Sequence, residues 1–420
     1  MSEERLSRYF SGIATKHLSA VEADQQVSHQ HELNGVSPLK GILGRERVTL
    51  KTRFIFIDDF EENCCSQDGT MTWYDARENH PTRSEYRLYY SSNVVMKKAC
   101  EGDFFALGMQ PDNTLVAIVA KGGTISERQL AWLFGVQESS STFRVSDTTN
   151  IRAGFVARYI LDQLGIETRE RLSFSYLEDM LRRFNGDFPS TREFSAYARE
   201  TLGISSRDNP DEALLIWLER EEILFRMLEK HLAEKKIREG FNDIDEFVNT
   251  ALSIINRRKS RVGAGFENHL EYIFKEFDLT FSTQKVTENK SKPDFVFPCI
   301  EAYHRLPDDA VSKIVTILGA KYSCKDRWRQ VLAEGNRINK KYLITVEAGI
   351  SSNQTTEMEN SGVKLIVPNE ILETYSSSQR ISIINLRGFI EKVKFIQENE
   401  WRIHGQSILN PGLFTNIFKT

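Results

Sequence analysis

The spacing of hydrophobic positions changes character twice along the chain. Residues 1–40 are polar and weakly periodic, so they read as a surface tail with room for one short helix over 4–18. From Glu46 the pattern becomes short runs and alternations at 48–57, 85–90, 103–107 and 115–120, separated by Gly, Asn and Asp. That spacing predicts strands of a barrel or sandwich. Thr124-Ile125-Ser126-Glu127 forms a capping box that opens a short helix to about Phe134. Residues 137–150 are rich in Ser and Thr and read as a linker.

Helical spacing then takes over. Ile151, Phe155, Tyr159, Leu161 and Leu164 make an apolar stripe, and Ser190 is a candidate cap for a helix over 191–202. Further helices are predicted at 212–239, 243–257 and 263–277, with Arg257-Arg258-Lys259-Ser260-Arg261 as the junction between the last two. Strand-like runs follow at 279–286, 295–297, 314–322, 342–346 and 363–367, with helices at 326–339, 354–361, 369–375 and 386–397. Helices interleaved with strands in this order predict an α/β sandwich around a mixed central sheet. The expected division is a β-rich N-terminal domain over 1–150, a helical linker over 151–187 and an α/β domain over 188–420.

A chain of 420 residues is long enough for two cores. Hydrophobic residues at 40% and charged residues at 27% fit a globular protein. The net charge of −4 carries no global nucleic-acid signature, so any such surface must be local. Five cysteines, none in a CxxC pair, read as reduced thiols of a cytoplasmic protein without a zinc site. No 18-residue apolar run occurs, and no membrane association is expected.

Candidate chemistry concentrates between Lys292 and Asn336. Asp294 follows Pro293 and opens a short apolar strand, Lys321 ends the next strand, and Glu334 comes thirteen residues after that lysine. Two carboxylates can hold Mg²⁺ beside a phosphate, and a lysine there stabilises developing charge. On a helix starting near Asp326, Glu334 stands about two turns in. Glu267 and Glu271 are competing acidic candidates. Taken by themselves, an Asp before one strand and a Lys on the next are common in α/β domains. Lys325, Asp326 and Arg327 have the donors and acceptor to read G and C edges in the major groove, but also suit an ordinary exposed helix start. Arg257, Arg258, Lys259 and Arg261 are candidate DNA-backbone contacts, or else a solvated helix junction. In the first half, Trp73, Tyr74, Arg77, Arg83 and Arg87 could contact phosphates and bases, or equally form a strand pair with a buried aromatic and surface ion pairs.

Several ordered motifs together resemble one family. They are Arg257-Arg258-Lys259-Ser260-Arg261-Val262-Gly263, Lys292-Pro293-Asp294-Phe295-Val296-Phe297-Pro298, Ala302-Tyr303-His304, Cys324-Lys325-Asp326-Arg327-Trp328-Arg329-Gln330 and Ser361-Gly362-Val363-Lys364-Leu365-Ile366-Val367-Pro368. They look like the catalytic domain of EcoRII-type restriction endonucleases, over about 188–390. The resemblance implies a PD-(D/E)xK nuclease fold and Mg²⁺-dependent double-strand cleavage at a short C/G-flanked site. It puts the metal ligands at Asp294 and Glu334, the catalytic lysine at Lys321 and base recognition at Lys325, Asp326 and Arg327. Tyr303 and Arg329, inside the matching motifs, join the backbone-contact candidates. Lys321-Tyr322-Ser323 departs from the expected Lys-Thr-Thr but keeps the lysine. The family also implies a β-rich N-terminal effector domain, a B3-like barrel being one form, together with a homodimer and a separate DNA methyltransferase. The alternatives are a modification-dependent nuclease whose N-terminal half senses a modified base, and a DNA-binding module without activity.

Overall fold

The computed structural model describes residues 6–23, 31–136, 140–146, 157, 160–161, 164–166, 174–324 and 327–401. It divides into two compact units, Met1–Arg169 and Glu170–Thr420. The first unit is built on eight strands: β1 (Gly12–His17), β2 (Glu32–Asn34), β3 (Val48–Ile57), β4 (Cys65–Asp75), β5 (Tyr86–Tyr90), β6 (Phe104–Met109), β7 (Leu115–Ala120) and β8 (Arg144–Ser146). They form one sheet in the order β2-β5-β4-β3-β7-β6-β1-β8. Only β3 and β7 run parallel; the other ladders are antiparallel. The order ends at β2 and β8, and among the described residues no ladder joins those two. All six residues of β6 and all six of β7 are buried, which explains their uninterrupted apolar runs. Helix α1 (Ile125–Leu133) begins as expected, with Thr124 Oγ1 accepting the Glu127 N–H.

Two expectations fail in this unit. Gly12–His17 is a strand and not part of a helix: it pairs with β6 along its whole length, so a long-range ladder overrides weak local periodicity. The segment read as a linker contains β8, which pairs with the other edge of β1. Of the apolar stripe expected over 151–164, Ile151, Phe155 and Tyr159 lie outside the described residues, while Leu161 and Leu164 are buried.

The second unit opens with helices. Helix α2 (Thr191–Glu200) has a complete capping box between Ser190 and Glu193. The long helices α3 (Pro210–Glu239) and α4 (Ile244–Glu276) follow. A five-stranded sheet of β9 (Ser282–Thr283), β10 (Phe295–Phe297), β11 (Thr316–Ala320), β12 (Lys341–Ile344) and β13 (Val363–Ile366) runs in the order β13-β12-β11-β10-β9. It is mixed: β9, β10 and β11 pair antiparallel, while β11, β12 and β13 are parallel. Alternation along β10 sorts its side chains. Phe295 and Phe297 meet Phe274 of α4 at 5.1 and 5.2 Å between ring centroids, and Val296 joins Tyr303, Val311 and Ile317 in a separate core cluster. The strand expected over 279–286 reduces to the two residues of β9, because only Ser282 and Thr283 find partners on β10.

The two helices expected over 243–257 and 263–277 are one, α4. The Arg-rich stretch contains no proline, so nothing removes a backbone donor and the polar cluster does not interrupt the helix. Nearby Glu221 and Glu229 on α3 pair with Arg261 and Arg258. Within α4, Gly265 lets α3 approach: a Cβ there would sit 2.6 Å from Glu221 Oε1, which is buried with Arg261 and His269. Gly263, two residues earlier, faces open space. Gly265→Ala is therefore expected to lower stability by about 1–3 kcal/mol, and Gly263→Ala to raise it by about 0.5–1 kcal/mol. Urea unfolding midpoints check both, and a reversed order would contradict this helix packing.

Candidate active site

Asp294 sits at the mouth of β10 and is almost fully buried. Its Oδ2 accepts the Ala320 N–H at 2.7 Å and the Lys321 ammonium at 2.9 Å, both from the end of β11. Its Oδ1 accepts the Gln284 side-chain amide at 2.9 Å. Because β10 and β11 are antiparallel, the start of one and the end of the other lie at the same end of the sheet. Burial alone would make Lys321 easier to deprotonate. The carboxylate of Asp294, with the charges of Glu334 and Glu267, outweighs burial and raises its pKa.

Glu334 is not two turns into a helix as expected. The helix that follows β11 is the short α5 (Trp328–Leu332), and Glu334 lies in the turn beyond it. Gly335 is the reason. It adopts a φ of 64°, and a Cβ there would stand 2.0 Å from Ile317 Cδ1 of β11. The turn can pack this closely on the sheet only with glycine, and that packing buries Glu334. Glu334 Oε2 has no hydrogen-bond partner. Burial, then the charge of Asp294, pushes the Glu334 carboxyl up to about 7 against the opposing pull of Lys321 and Lys341.

The upstream helix contributes Glu267 and not Glu271. Gln284 Nε2 reaches Glu267 Oε2 at 3.2 Å as well as Asp294, tying α4 to β10. Burial and then the Asp294 charge raise the Glu267 pKa. Glu271 instead pairs with Arg192 and Lys275. Gln284 escaped the sequence reading, since a lone polar residue beside a two-residue strand carries no pattern. Its φ of 51° marks it in the structure as a non-glycine residue held in the left-handed region.

Three carboxylates thus share one lysine. Among the described residues no group of three His, Cys, Asp or Glu side chains converges closely enough to hold a metal by itself. The donor set nonetheless fits a hard divalent cation. It offers carboxylate oxygens, one of them buried and unpartnered, and Mg²⁺ commonly takes only one or two carboxylates and keeps its waters.

The other candidates are dispersed. Lys325 and Asp326 lie outside the described residues; Arg327 is exposed, and its N–H donates to the Cys324 carbonyl at 2.7 Å. Burial corrects three of the DNA contacts. Trp73 is in the core with Nε1 donating to the Gly44 carbonyl, Tyr303 is buried with its hydroxyl on Glu288, and Arg261 is buried against Glu221. Arg257 lies over the Phe188 ring, Arg258 pairs with Glu229, Arg329 pairs with Glu357, and Lys259 is exposed. In the first unit Tyr74 donates to Glu32, Arg77 and Arg87 pair with Glu85, and Arg83 is exposed.

The second unit is an α/β domain with a carboxylate–lysine site at one end of a mixed sheet. Its residues 225–390, which include Glu267, Gln284, Asp294, Lys321 and Glu334, match the family described as EcoRII C terminal. Over 207 residues the chain is 40% identical to the type II restriction enzyme EcoRII of Escherichia coli, covering 49% of this chain and 50% of that protein. The chain therefore spans about half the length of the curated relative it matches. Among solved structures, metal-depleted Ecl18kI in complex with uncleaved DNA aligns at 18% identity and a TM-score of 0.44, covering 57% of this chain and 92% of that one. The restriction endonuclease PspGI–substrate DNA complex aligns at 14% identity and a TM-score of 0.41, covering 50% and 94%.

The raised pKa of Glu334 has a sign that can be tested. A carboxyl at about 7 in the folded chain against 4.5 as its ordinary value binds its proton more tightly when folded. Its ionisation therefore costs stability progressively from pH 4.5 to 7, with the full cost above 7. In metal-free buffer, Glu334→Gln is expected to stabilise the fold at pH 8 by on the order of 2–3 kcal/mol and to change little at pH 4.5. Urea unfolding of the two proteins at both pH values is the check.

Proposed function

We propose that the chain is a type II site-specific deoxyribonuclease that hydrolyses double-stranded DNA with Mg²⁺ at a short C/G-flanked site. The observation that carries this reading is the buried Asp294–Lys321 pair beside the unpartnered Glu334 carboxylate, inside the segment that matches the EcoRII C-terminal family. Asp294 and Glu334 would hold the ion, which when bound supplies an activated water and neutralises phosphoryl charge. Lys321, with its raised pKa, stays an ammonium at neutral pH. It therefore acts as a donor to charge developing on the phosphate and not as a base. Gln284 keeps Asp294 oriented and ties it to Glu267. Lys325, Asp326 and Arg327 follow Lys321 closely in sequence and have the groups to read G·C pairs. The PD-(D/E)xK assignment fits a carboxylate and a lysine on neighbouring strands. The first unit, outside the family match, is assigned to DNA binding in an effector role, and a separate methyltransferase would protect the host's own sites. Among the described residues no helix is long and apolar enough to cross a membrane.

Asp294→Ala and Lys321→Ala are each expected to lower cleavage in Mg²⁺ by about a thousandfold or more while specific DNA binding persists. Cleavage assays beside gel-shift titrations measure both, and a variant that still cuts at the wild-type rate removes this site.

A second copy of the chain is the proposed partner, because cutting both strands of a near-palindrome calls for two sites related by a two-fold axis. One face of α4 supports it. Ile244, Phe247, Val248, Leu252 and Ile255 are exposed on the first half of the helix. Asp245 stands near one end of this stripe, with Arg258 and Lys259 at the other. Antiparallel pairing about an axis near Leu252 would set Val248 against Ile255 and Asp245 near Lys259, so apolar residues meet along the stripe and opposite charges meet at its ends. Light scattering of the full chain is expected to find a dimer, and Leu252→Glu a monomer. A variant that stays dimeric, or a monomeric wild type, overturns this interface.

A further inference from the structure

After β11 the chain leaves the sheet, and the end of β12 with the segment that follows it holds Lys321, Tyr322, Ser323 and Cys324 in turn. The Lys321 N–H donates to the Ile344 carbonyl at 3.0 Å. Thr345 Oγ1 donates to the Tyr322 carbonyl at 3.1 Å. Glu347 then takes the next two positions: its Oε2 accepts the Ser323 hydroxyl at 3.4 Å and, more closely, the Cys324 N–H. The Cys324 carbonyl in turn accepts the Arg327 N–H at 2.7 Å.

Glu347 is itself fixed. It is only 2% exposed, its N–H donates to Thr345 Oγ1 at 3.1 Å, and its carbonyl accepts the Tyr375 hydroxyl at 2.7 Å. A buried carboxylate is costly unless satisfied. What distinguishes this one is the stretch it holds. At one end is Lys321, assigned above to the phosphate, and at the other Arg327, assigned above to base reading. A carboxylate bonded to the backbone between them sets their separation.

We propose that Glu347 is a positioning residue that fixes Arg327 relative to Lys321, so that Lys321 is aligned on the phosphate only when the base contacts are correct. The proposal rests on the nuclease reading above. A carboxylate that merely supported the fold would, when lost, lower stability and slow cleavage at every sequence in equal proportion. One that sets the recognition geometry changes which sequences are cut.

The test digests genomic DNA with the full-length chain in Mg²⁺ and sequences the fragment ends for wild type, Glu347→Ala, Glu347→Gln and Thr345→Val. Circular dichroism melts monitor folding. Glu347→Ala is expected to raise the share of ends at sites differing by one base pair by about tenfold or more. Glu347→Gln, whose amide oxygen can still accept the Cys324 N–H, is expected to stay within about threefold of wild type. A folded Glu347→Ala that cuts more slowly but with the wild-type distribution of ends overturns the proposal. If Glu347→Ala does not fold, Thr345→Val decides. It removes the hydroxyl that anchors Tyr322 and accepts from Glu347 with little change in volume. Broadened ends support the proposal, and unchanged ends overturn it. A wild-type chain that leaves the DNA intact overturns the nuclease reading itself, and the proposal with it.

Discussion

The carboxylate of Asp294 is the contact on which the second unit turns. It is buried, so each oxygen must find a partner. Those partners come from three places: the backbone of β11 at Ala320, the Lys321 side chain, and Gln284 beside β9. One side chain thereby joins the ends of two strands and keeps a lysine charged, while Gln284, bonded to it, reaches α4 at Glu267. The aromatic packing of Phe274 on Phe295 and Phe297 fixes the plane on which this happens.

Backbone strain and unmet polarity both occur beside that contact. Gln284 holds a left-handed backbone, Gly335 is pressed against Ile317, and Glu334 is buried with one oxygen unpaired. The backbone of Gln284 and the unpaired oxygen of Glu334 cost stability, and both groups lie close to Asp294. Stability given up locally while the core remains well packed is the pattern expected of a site shaped for a ligand.

Much of this was legible in the chain itself. The run Phe295–Phe297 reads as a buried strand because both of its faces are covered, and Asp294 and Lys321 could be placed at strand ends from the apolar runs alone. The position of Glu334 is the poorer expectation, because it rests on a helix running on from Asp326 although Gly335-Asn336 is a helix-stop signal. The Arg-rich cluster looked like a junction, since its partners, Glu221 and Glu229, lie on another helix and cannot be seen locally. Gln284 and Glu347 carry no pattern at all. Their roles come from bonds to residues 10 and 23 positions away. Gly12–His17 is a strand because β6 and β8 flank it, which no window of its own sequence can report.

The antiparallel pairing of β10 with β11 has a consequence for how such sites vary. Asp294 and Lys321 are 27 residues apart in sequence yet bonded at 2.9 Å. The connection between their strands leaves from Phe297 and returns at Thr316, at the opposite end of the pair. Its length does not itself set the distance between the two groups, so insertions that spare its packed residues, such as Tyr303 beside Gly335, would move neither. The passage from Lys321 to Glu334 has less slack at its two ends, since Lys321–Cys324 are bonded to the segment Ile344–Glu347 and the turn at Gly335 packs on Ile317. A sequence signature for this kind of centre should leave the first gap elastic and hold the second rigid.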